Sequence, residues 1–314
     1  MLAGPLAADA QRPAKPYQIG FLHPGALAPV APLVEEFRRG LRQLGYTEGP
    51  GLTIHYRFAE GNPSRLHEQV TDLVRLKVDV IVAVSAQAAV AAHRETQMIP
   101  IVMTNVGDPM RLGLVASLAR PGGNVTGTVS YLPDLVEKHL EIVKELVPGM
   151  KHLAVFYNPA NPLAASNLRD LDDPARLLAI QIHALKVLDP GEFENAFRTA
   201  VTERASAVWI TGDQLFYGNL DRLATLAINA RLPTMFGYRQ YAEAGGLVAY
   251  GPANAEMYLR AATFVDKILK GAKPSDLPIE QPRKFELIIN LKTAKAIGLP
   301  IPQSLLVRAD EVIH

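Results

Sequence analysis

The stretch Asp79-Val-Ile-Val-Ala-Val-Ser-Ala-Gln-Ala-Ala89 decides the fold. Its first half is a continuous apolar run, which is typical of a strand buried on both faces of a parallel sheet. Its second half, from Ser85, is rich in alanine and predicts a helix that begins where the strand ends. The stretch therefore predicts a strand followed directly by a helix, the repeating unit of α/β folds.

The same order of elements occurs twice along the chain. Residues 17–104 and residues 151–237 each predict four strands separated by helices, and each run ends in an apolar strand led by proline. The matching strands are 17–22 with 152–157, 52–56 with 180–188, 80–84 with 207–211, and 100–104 with 233–237. A repeat of this length indicates a duplicated domain rather than a solenoid. We expect an α/β fold of two doubly wound, Rossmann-like lobes with a ligand cleft between them.

Two glycine-rich stretches, residues 120–127 and 245–251, predict points where the chain crosses between the lobes. Multiple crossings let two lobes close as rigid bodies around a ligand. Pro174 interrupts the predicted first helix of the second lobe and predicts that this helix is kinked or split. The predicted boundaries are 16–127 with 252–277 for the first lobe, and 128–251 with 278–314 for the second.

The composition excludes several classes of protein. The chain has 314 residues, enough for two domains with cores of their own, and a net charge of +1. Arg38 and Arg39 lie beside Glu35 and Glu36, so the sequence shows no basic stripe of the kind that a nucleic-acid groove requires. The absence of cysteine excludes disulfides, thiolate metal ligands and lipid attachment through an N-terminal cysteine. No stretch is long and apolar enough to predict a membrane span.

The first residues predict export. Residues 1–10 are small and mostly apolar, and Ala8-Asp-Ala10 fits the small-x-small pattern that precedes a cleavage point. The charged region and most of the apolar run of a secretory signal are missing. We interpret residues 1–15 as a leader that retains the end of a signal peptide, with a frayed terminus as the alternative.

The familiar catalytic motifs are absent. The sequence contains no phosphate-binding loop, dinucleotide fingerprint, zinc-protease motif or nucleophile elbow. Its eight histidines are scattered, and no pair has metal-ligand spacing. We therefore expect no catalytic residue, no metal site and no cofactor, and we expect that the protein is not an enzyme. An α/β enzyme with a dispersed site is a lower-ranked alternative.

Several segments of the sequence resemble those of one known protein family. They are Tyr17-Gln-Ile-Gly-Phe-Leu22, Val82-Ala-Val-Ser-Ala-Gln-Ala-Ala89, Ile99-Pro-Ile-Val102, Gly107-Asp-Pro109, residues 113–127, Tyr157-Asn-Pro159 and residues 244–251. They resemble the solute-binding proteins of ABC importers, in the group that includes tryptophan-binding and related aromatic amino-acid receptors. The resemblance covers nearly the whole chain after Ala10, and residues 107–127 are its most specific part. It implies the type I periplasmic-binding fold with three crossings, and a small molecule handed to a permease in the inner membrane.

The candidate ligand residues follow the predicted strands, since ligands of open parallel sheets bind at the carboxyl ends of the strands. Ser85, Ala86 and Gln87 begin a helix, and their N–H groups with the helix dipole favour a carboxylate. The alternative is that Ser85 only caps the helix.

Further polar candidates follow other strands of the two lobes. In the first lobe they are His23, which as a lone histidine is more often structural, and Asn105 and Asp108. Asp108 precedes a proline and also fits an Asx turn. In the second lobe they are Asn158 and Asp213.

Asp213 resembles the family's acidic position and implies a partner for a ligand ammonium, with a helix cap as the alternative. Tyr131 and Tyr238 are candidate aromatic walls for a flat ligand. Trp209, inside a predicted strand, is assigned to the core, and Tyr250 to packing.

The leading prediction is a periplasmic receptor of an ABC importer that captures a small carboxylate, such as an aromatic amino acid or aromatic acid, by lobe closure. We expect a monomer that diffuses freely in the periplasm without a lipid anchor or a nucleic-acid partner. The alternative is a ligand sensor that presents its closed form to a membrane receptor or regulator.

Overall fold

The computed structural model describes residues 16–130 and 133–314, without the side chains of residues 133 and 134. The leader predicted at residues 1–15 and the predicted ligand residue Tyr131 lie outside the described residues. Within the described part of the chain, no helix is long and apolar enough to span a membrane.

The first lobe is built on a sheet of five strands that are all parallel. The strands are β1 (Tyr17–His23), β2 (Leu52–Phe58), β3 (Val80–Val84), β4 (Ile101–Val106) and β5 (Val125–Val129), and the helices between them are α1 (Ala31–Gln43), α2 (Pro63–Arg75) and α3 (Ser85–Glu95). In space the strands lie in the order β2-β1-β3-β4-β5, which is the order of a doubly wound fold.

The second lobe repeats this order in a larger sheet. Its strands are β6 (His152–Tyr157), β7 (Gln181–Lys186), β8 (Ala207–Ile210), β9 (Thr234–Phe236), β10 (Val248–Pro252), β11 (Phe285–Asn290) and β12 (Glu311–Ile313). The order β7-β6-β8-β9-β10 repeats that of the first sheet, and β11 and β12 extend it beyond β10. Only the pair β10 and β11 is antiparallel among the described strands of this sheet. The predicted α/β fold of two doubly wound lobes is confirmed.

The remaining helices cover the second sheet and, in one case, return to the first. They are α4 (Pro133–Leu146), α5 (Ala164–Arg169), α6 (Asp172–Leu177), α7 (Phe193–Thr202), α8 (Gln214–Tyr217), α9 (Leu220–Ala230), α10 (Arg239–Glu243), α11 (Asn254–Leu269), α12 (Leu291–Ile297) and α13 (Gln303–Arg308). The predicted split helix is present as α5 and α6. Pro174 lies in the first turn of α6, where its missing N–H costs no hydrogen bond.

Strand β3 shows why a continuous apolar run was required. All five of its residues are buried, and they alternate between two cores. Val80, Val82 and Val84 share one core with α1 and α11, whereas Ile81 and Ala83 share the other with α2 and α3. The small residues of α1 and α11 let these helices approach closely, since a Cβ on Gly40 would lie 2.7 Å from Cβ of Ala262.

The glycine-rich stretches predicted as crossings contribute the fifth strand of each repeat, and the chain leaves the sheet directly after each of these strands. Residues 125–127 belong to β5, and residues 248–251 belong to β10. In Val125-Thr-Gly-Thr-Val129 the glycine and threonines weaken the apolar pattern of a buried strand, although all five residues are buried. The chain changes sheet after β5, at Ala253, and between Glu280 and β11. The lobe boundaries given above stay a prediction.

Candidate functional site

A cavity of about 100 Å³ lies between the carboxyl ends of the two sheets. Residues of both lobes line it, as the rule for open parallel sheets requires. Six of the ten predicted ligand residues are among them: Ser85, Ala86, Gln87, Asn105, Asp213 and Tyr238.

Residues 85–87 form the side of the cavity that follows β3. Ser85 has a φ of +74°, in the left-handed region that side chains rarely adopt. Ser85 does not cap the helix. The N-cap position of α3 is Val84, and no side chain accepts from the first N–H groups of the helix. Instead, Oγ of Ser85 donates to Oε1 of Gln87 over 2.9 Å. The strained turn thus places Ser85, Ala86 and Gln87 on the cavity at a helix N-terminus, where N–H groups lack intrahelical acceptors.

Asn105 occupies a second strained position, one strand further along the sheet. Its φ is +56°, and the register of β4 against β5 shifts between Met103 and Val106. Its Oδ1 accepts a hydrogen bond of 2.9 Å from Oη of Tyr238 in the other lobe. Because Oδ1 is the acceptor, the amide NH₂ of Asn105 stays a donor. Backbone strain of this kind clusters at functional sites.

Asp213 is both a helix cap and the centre of a polar network. Oδ1 accepts from the backbone N–H of Leu215 and from Nδ2 of Asn158, each at 2.9 Å. Oδ2 accepts from Nε2 of Gln87 at 2.7 Å and from Nδ2 of Asn161 at 3.1 Å. The bond to Gln87 joins the two lobes. These neutral donors solvate a carboxylate that is only 6% exposed.

The cavity also has aromatic and apolar lining residues. Trp209 and Tyr250 line it, so their assignment to core and packing was incomplete: Trp209 belongs to the core of the second lobe and also faces the cavity. The ring of His139 lies 4.8 Å from that of Trp209, and its Nε2 donates to the carbonyl of Tyr250 over 2.7 Å. Burial lowers the pKa of His139 to about 4, so the ring is neutral near pH 7.

Three predicted ligand residues do not line the cavity. His23 is buried, its Nδ1 accepts from the N–H of Gly25 at 3.0 Å, and burial lowers its pKa to about 4. Asp108 closes an Asx turn, the alternative given for it. Asn158 lies behind Asp213 and orients it.

Sequence reasoning missed several lining residues: Leu135, His139, Asn161, Asn167, Leu171 and Thr211. Asn161 follows β6 and Thr211 follows β8, so the rule that selected Asn158 and Asp213 also covered them. Trp209 lies two residues before Thr211 and therefore on the same face of its strand, which was a usable signal. His139 projects from α4, and no local pattern indicated it. Among the described residues, no group of three or more potential ligands is arranged to hold a metal ion.

Comparisons with known proteins show which proteins this chain resembles in sequence and in fold. A tyrosine-binding protein of Clostridioides difficile (strain R20291) is 28% identical over 263 residues, which are 84% of this chain and 75% of that protein. A conserved domain protein of Vibrio cholerae has a TM-score of 0.89 at 28% identity, over 95% of this chain and all of that one. An ABC domain of Streptococcus pneumonia in complex with L-Trp has a TM-score of 0.87 at 24% identity, over the same shares, and has the same fold.

The two lobes with parallel sheets form the type I periplasmic-binding fold. Residues 23–313 match the profile of a family described as ABC transporter substrate binding protein. Because this match spans nearly all of the chain and agrees with its two-lobed fold, the chain belongs to the ABC transporter substrate binding protein family.

Proposed function

We propose that this protein is the periplasmic receptor of an ABC importer and that it captures an aromatic amino acid by closing its two lobes. One observation carries the proposal: a buried carboxylate, Asp213, lines the same cavity as aromatic and apolar side chains. An amino acid with an aromatic side chain has the matching distribution of charge and apolar surface.

The carboxylate of Asp213 favours a ligand ammonium. Among the lining residues that the structure describes, it is the sole acidic or basic side chain apart from the neutral His139. A carboxylate has about four acceptor positions, and all are used by neutral donors. A ligand ammonium would displace Gln87 or Asn161 from Oδ2, so that a charge-assisted bond replaces a neutral one.

The first lobe supplies donors for the ligand carboxylate. They are the N–H groups at the start of α3 and the NH₂ group of Asn105, which the bond from Tyr238 orients. A helix N-terminus favours an anion through its free N–H groups and its dipole. The two charged groups of an amino acid would thus engage different lobes, and both interactions form together only when the lobes are closed.

The cavity size favours a single amino acid. A volume of about 100 Å³ corresponds to roughly seven to ten water positions, at about 10–15 Å³ for each. This space suits one amino acid rather than a peptide. Trp209 and Tyr250 offer ring surfaces for an aromatic side chain. The relatives that bind tyrosine or hold L-Trp support the same class of ligand.

Family membership supports a membrane permease as the partner, and the small-x-small pattern of residues 8–10 supports export to the periplasm. We infer a freely diffusing monomer without a nucleic-acid partner. We also infer that the protein is not an enzyme, in keeping with a family of substrate-binding proteins.

The test uses protein that has been unfolded and refolded to remove any retained ligand. Isothermal titration compares L-tyrosine, L-tryptophan and L-phenylalanine with their deamino acids and with their decarboxylated amines. We expect at least one amino acid to bind and both truncated analogues to bind at least about tenfold more weakly, since each lacks one charge-assisted hydrogen bond. Equal affinity for the deamino acid, or no binding of any of the three amino acids, contradicts the proposal.

A further inference from the structure

An ion pair joins the two lobes beside the cavity. Nη1 of Arg111, in the first-lobe segment between β4 and β5, lies 2.6 Å from Oδ2 of Asp170. Asp170 follows the last residue of α5 in the second lobe. The side chains are 39% and 19% exposed, so the pair is partly desolvated but remains in contact with water.

Asp108 holds Arg111 in position for this contact. Its Oδ1 accepts the backbone N–H groups of Met110 and Arg111, both at 3.0 Å. Its Oδ2 lies 3.3 Å from Nε of Arg111. One carboxylate therefore fixes both the turn and the guanidinium that the turn presents, which reduces the side-chain entropy lost when the lobes meet.

The ion pair lies at the border of the cavity. Gly107, four residues before Arg111, lines the cavity, and so do Asn167 and Leu171 on either side of Asp170. Neither Arg111 nor Asp170 is itself a lining residue. The pair thus lies beside the cavity, next to residues of both lobes that line it.

We propose that Arg111 and Asp170 form a cross-cleft latch that strengthens ligand binding and slows ligand release, with Asp108 as its positioning residue. The inference rests on the proposed function, because a ligand in the cavity is what the latch retains. An interaction between lobes contributes free energy only in the closed state, so it shifts the opening equilibrium and the ligand affinity together.

The magnitude follows from the exposure of the pair. Double-mutant cycles of exposed ion pairs give about 0.2–1 kcal/mol, which is roughly 1.4- to fivefold in Kd, and partial burial places this pair toward the upper end. Salt screens exposed charges, so raising the salt concentration should weaken binding to the parent protein and have less effect once either partner is neutral.

The test combines two variants, Asp170→Asn and Arg111→Gln, with their double variant. The control is Asp72→Asn, whose carboxylate pairs with Arg57 at 2.5 Å within the first lobe. With L-tyrosine as the probe, titration gives Kd, and the fluorescence of Trp209, the single tryptophan, gives the release rate. We expect each single variant to raise Kd and the release rate by about two- to fivefold, the double variant to add little, and the control to match the parent.

A second readout does not depend on a ligand. Because the chain has no cysteine, Met98→Cys and Leu177→Cys place one spin label on each lobe, at side chains that are 87% and 84% exposed. In ligand-free protein we expect Asp170→Asn to shift the distance distribution toward longer, open distances. Unchanged distances with unchanged L-tyrosine affinity would overturn the latch. Failure of the parent to bind any aromatic amino acid, with distances that still respond to Asp170→Asn, would overturn the proposed function and leave the latch standing.

Discussion

Replacement of Asp213 by asparagine separates the charge of this side chain from its shape. Asparagine keeps one acceptor oxygen, which can still cap α8 and accept from Asn158, as Oδ1 of Asp213 does at 2.9 Å in both cases. The NH₂ group that replaces Oδ2 faces the donors of Gln87 and Asn161. The variant thus keeps the cap of α8 and removes the acceptor proposed for the ligand ammonium, and it also removes the acceptor of the bonds from Gln87 and Asn161.

The expected loss follows from the bond that disappears. A hydrogen bond to a charged group contributes about 1.5–3 kcal/mol, which corresponds to roughly ten- to 150-fold in Kd. The full loss should be confined to ligands that carry the ammonium. A deamino acid with the same ring and carboxylate should lose less affinity for Asp213→Asn, because it makes no bond to this oxygen and loses only the contribution of the bond from Gln87 between the lobes.

Isothermal titration of both proteins with L-tyrosine and its deamino acid provides the measurement. Thermal unfolding of the ligand-free variant shows whether the cap at α8 has survived. The reasoning is refuted if the folded variant binds L-tyrosine as tightly as the parent, or if it loses the same factor for the deamino acid. The second result would mean that Asp213 only shapes the cavity.

Two further predictions concern the bond between lobes and the buried histidines. Tyr238→Phe removes the hydroxyl that donates to Asn105 and should weaken amino-acid binding by about two- to tenfold in titrations. The control is Tyr241→Phe, because the hydroxyl of Tyr241 pairs within the second lobe. This control should lower the melting temperature without changing Kd. Burial lowers the pKa of His23 and of His139 from 6.5 to about 4, so the unfolded chain binds more protons between these values and the free energy of unfolding falls as the pH falls. Urea titrations should show that the free energy of unfolding is lower at pH 5 than at pH 7 by about 2 kcal/mol for each histidine. Replacement of His139 by glutamine should reduce this difference. A free energy of unfolding that is the same at both pH values would contradict the prediction.

Much of the fold was accessible from the sequence because the decisive signals are local. A strand buried on both faces must be apolar at every position, and β3 has this property, as does its counterpart β8 in the second lobe. Two such units in the same order are sufficient to predict two similar lobes. Strand β5 was not predicted because Gly127 and two threonines interrupt the apolar run that marks a buried strand, although all five of its residues are buried in the sheet.

The candidate site was accessible only in part, for a related reason. The rule about carboxyl ends of strands selects loops, and it brought Ser85, Gln87 and Asp213 to one cavity. It does not say which way each side chain in a loop points, and Asp108 turns away to hold its own backbone. His139 comes from a helix and reaches the cavity through packing on Trp209, which depends on the relative position of helix and sheet.

The contact between α1 and α11 sets the order in which the lobes are completed. Helix α11 covers Phe37 and Leu41 of α1, yet it follows every regular strand of the second repeat along the chain. During synthesis or export from the N-terminus, the first lobe emerges first but retains an uncovered apolar face until residues 254–269 arrive. The lobe that begins the chain is therefore finished only after strands β6 to β10 of the other lobe have emerged, and its closing contact spans more than 200 residues of sequence. Long-range contacts of this kind slow folding, and the exposed face of α1 is where a chaperone would be needed in the interval.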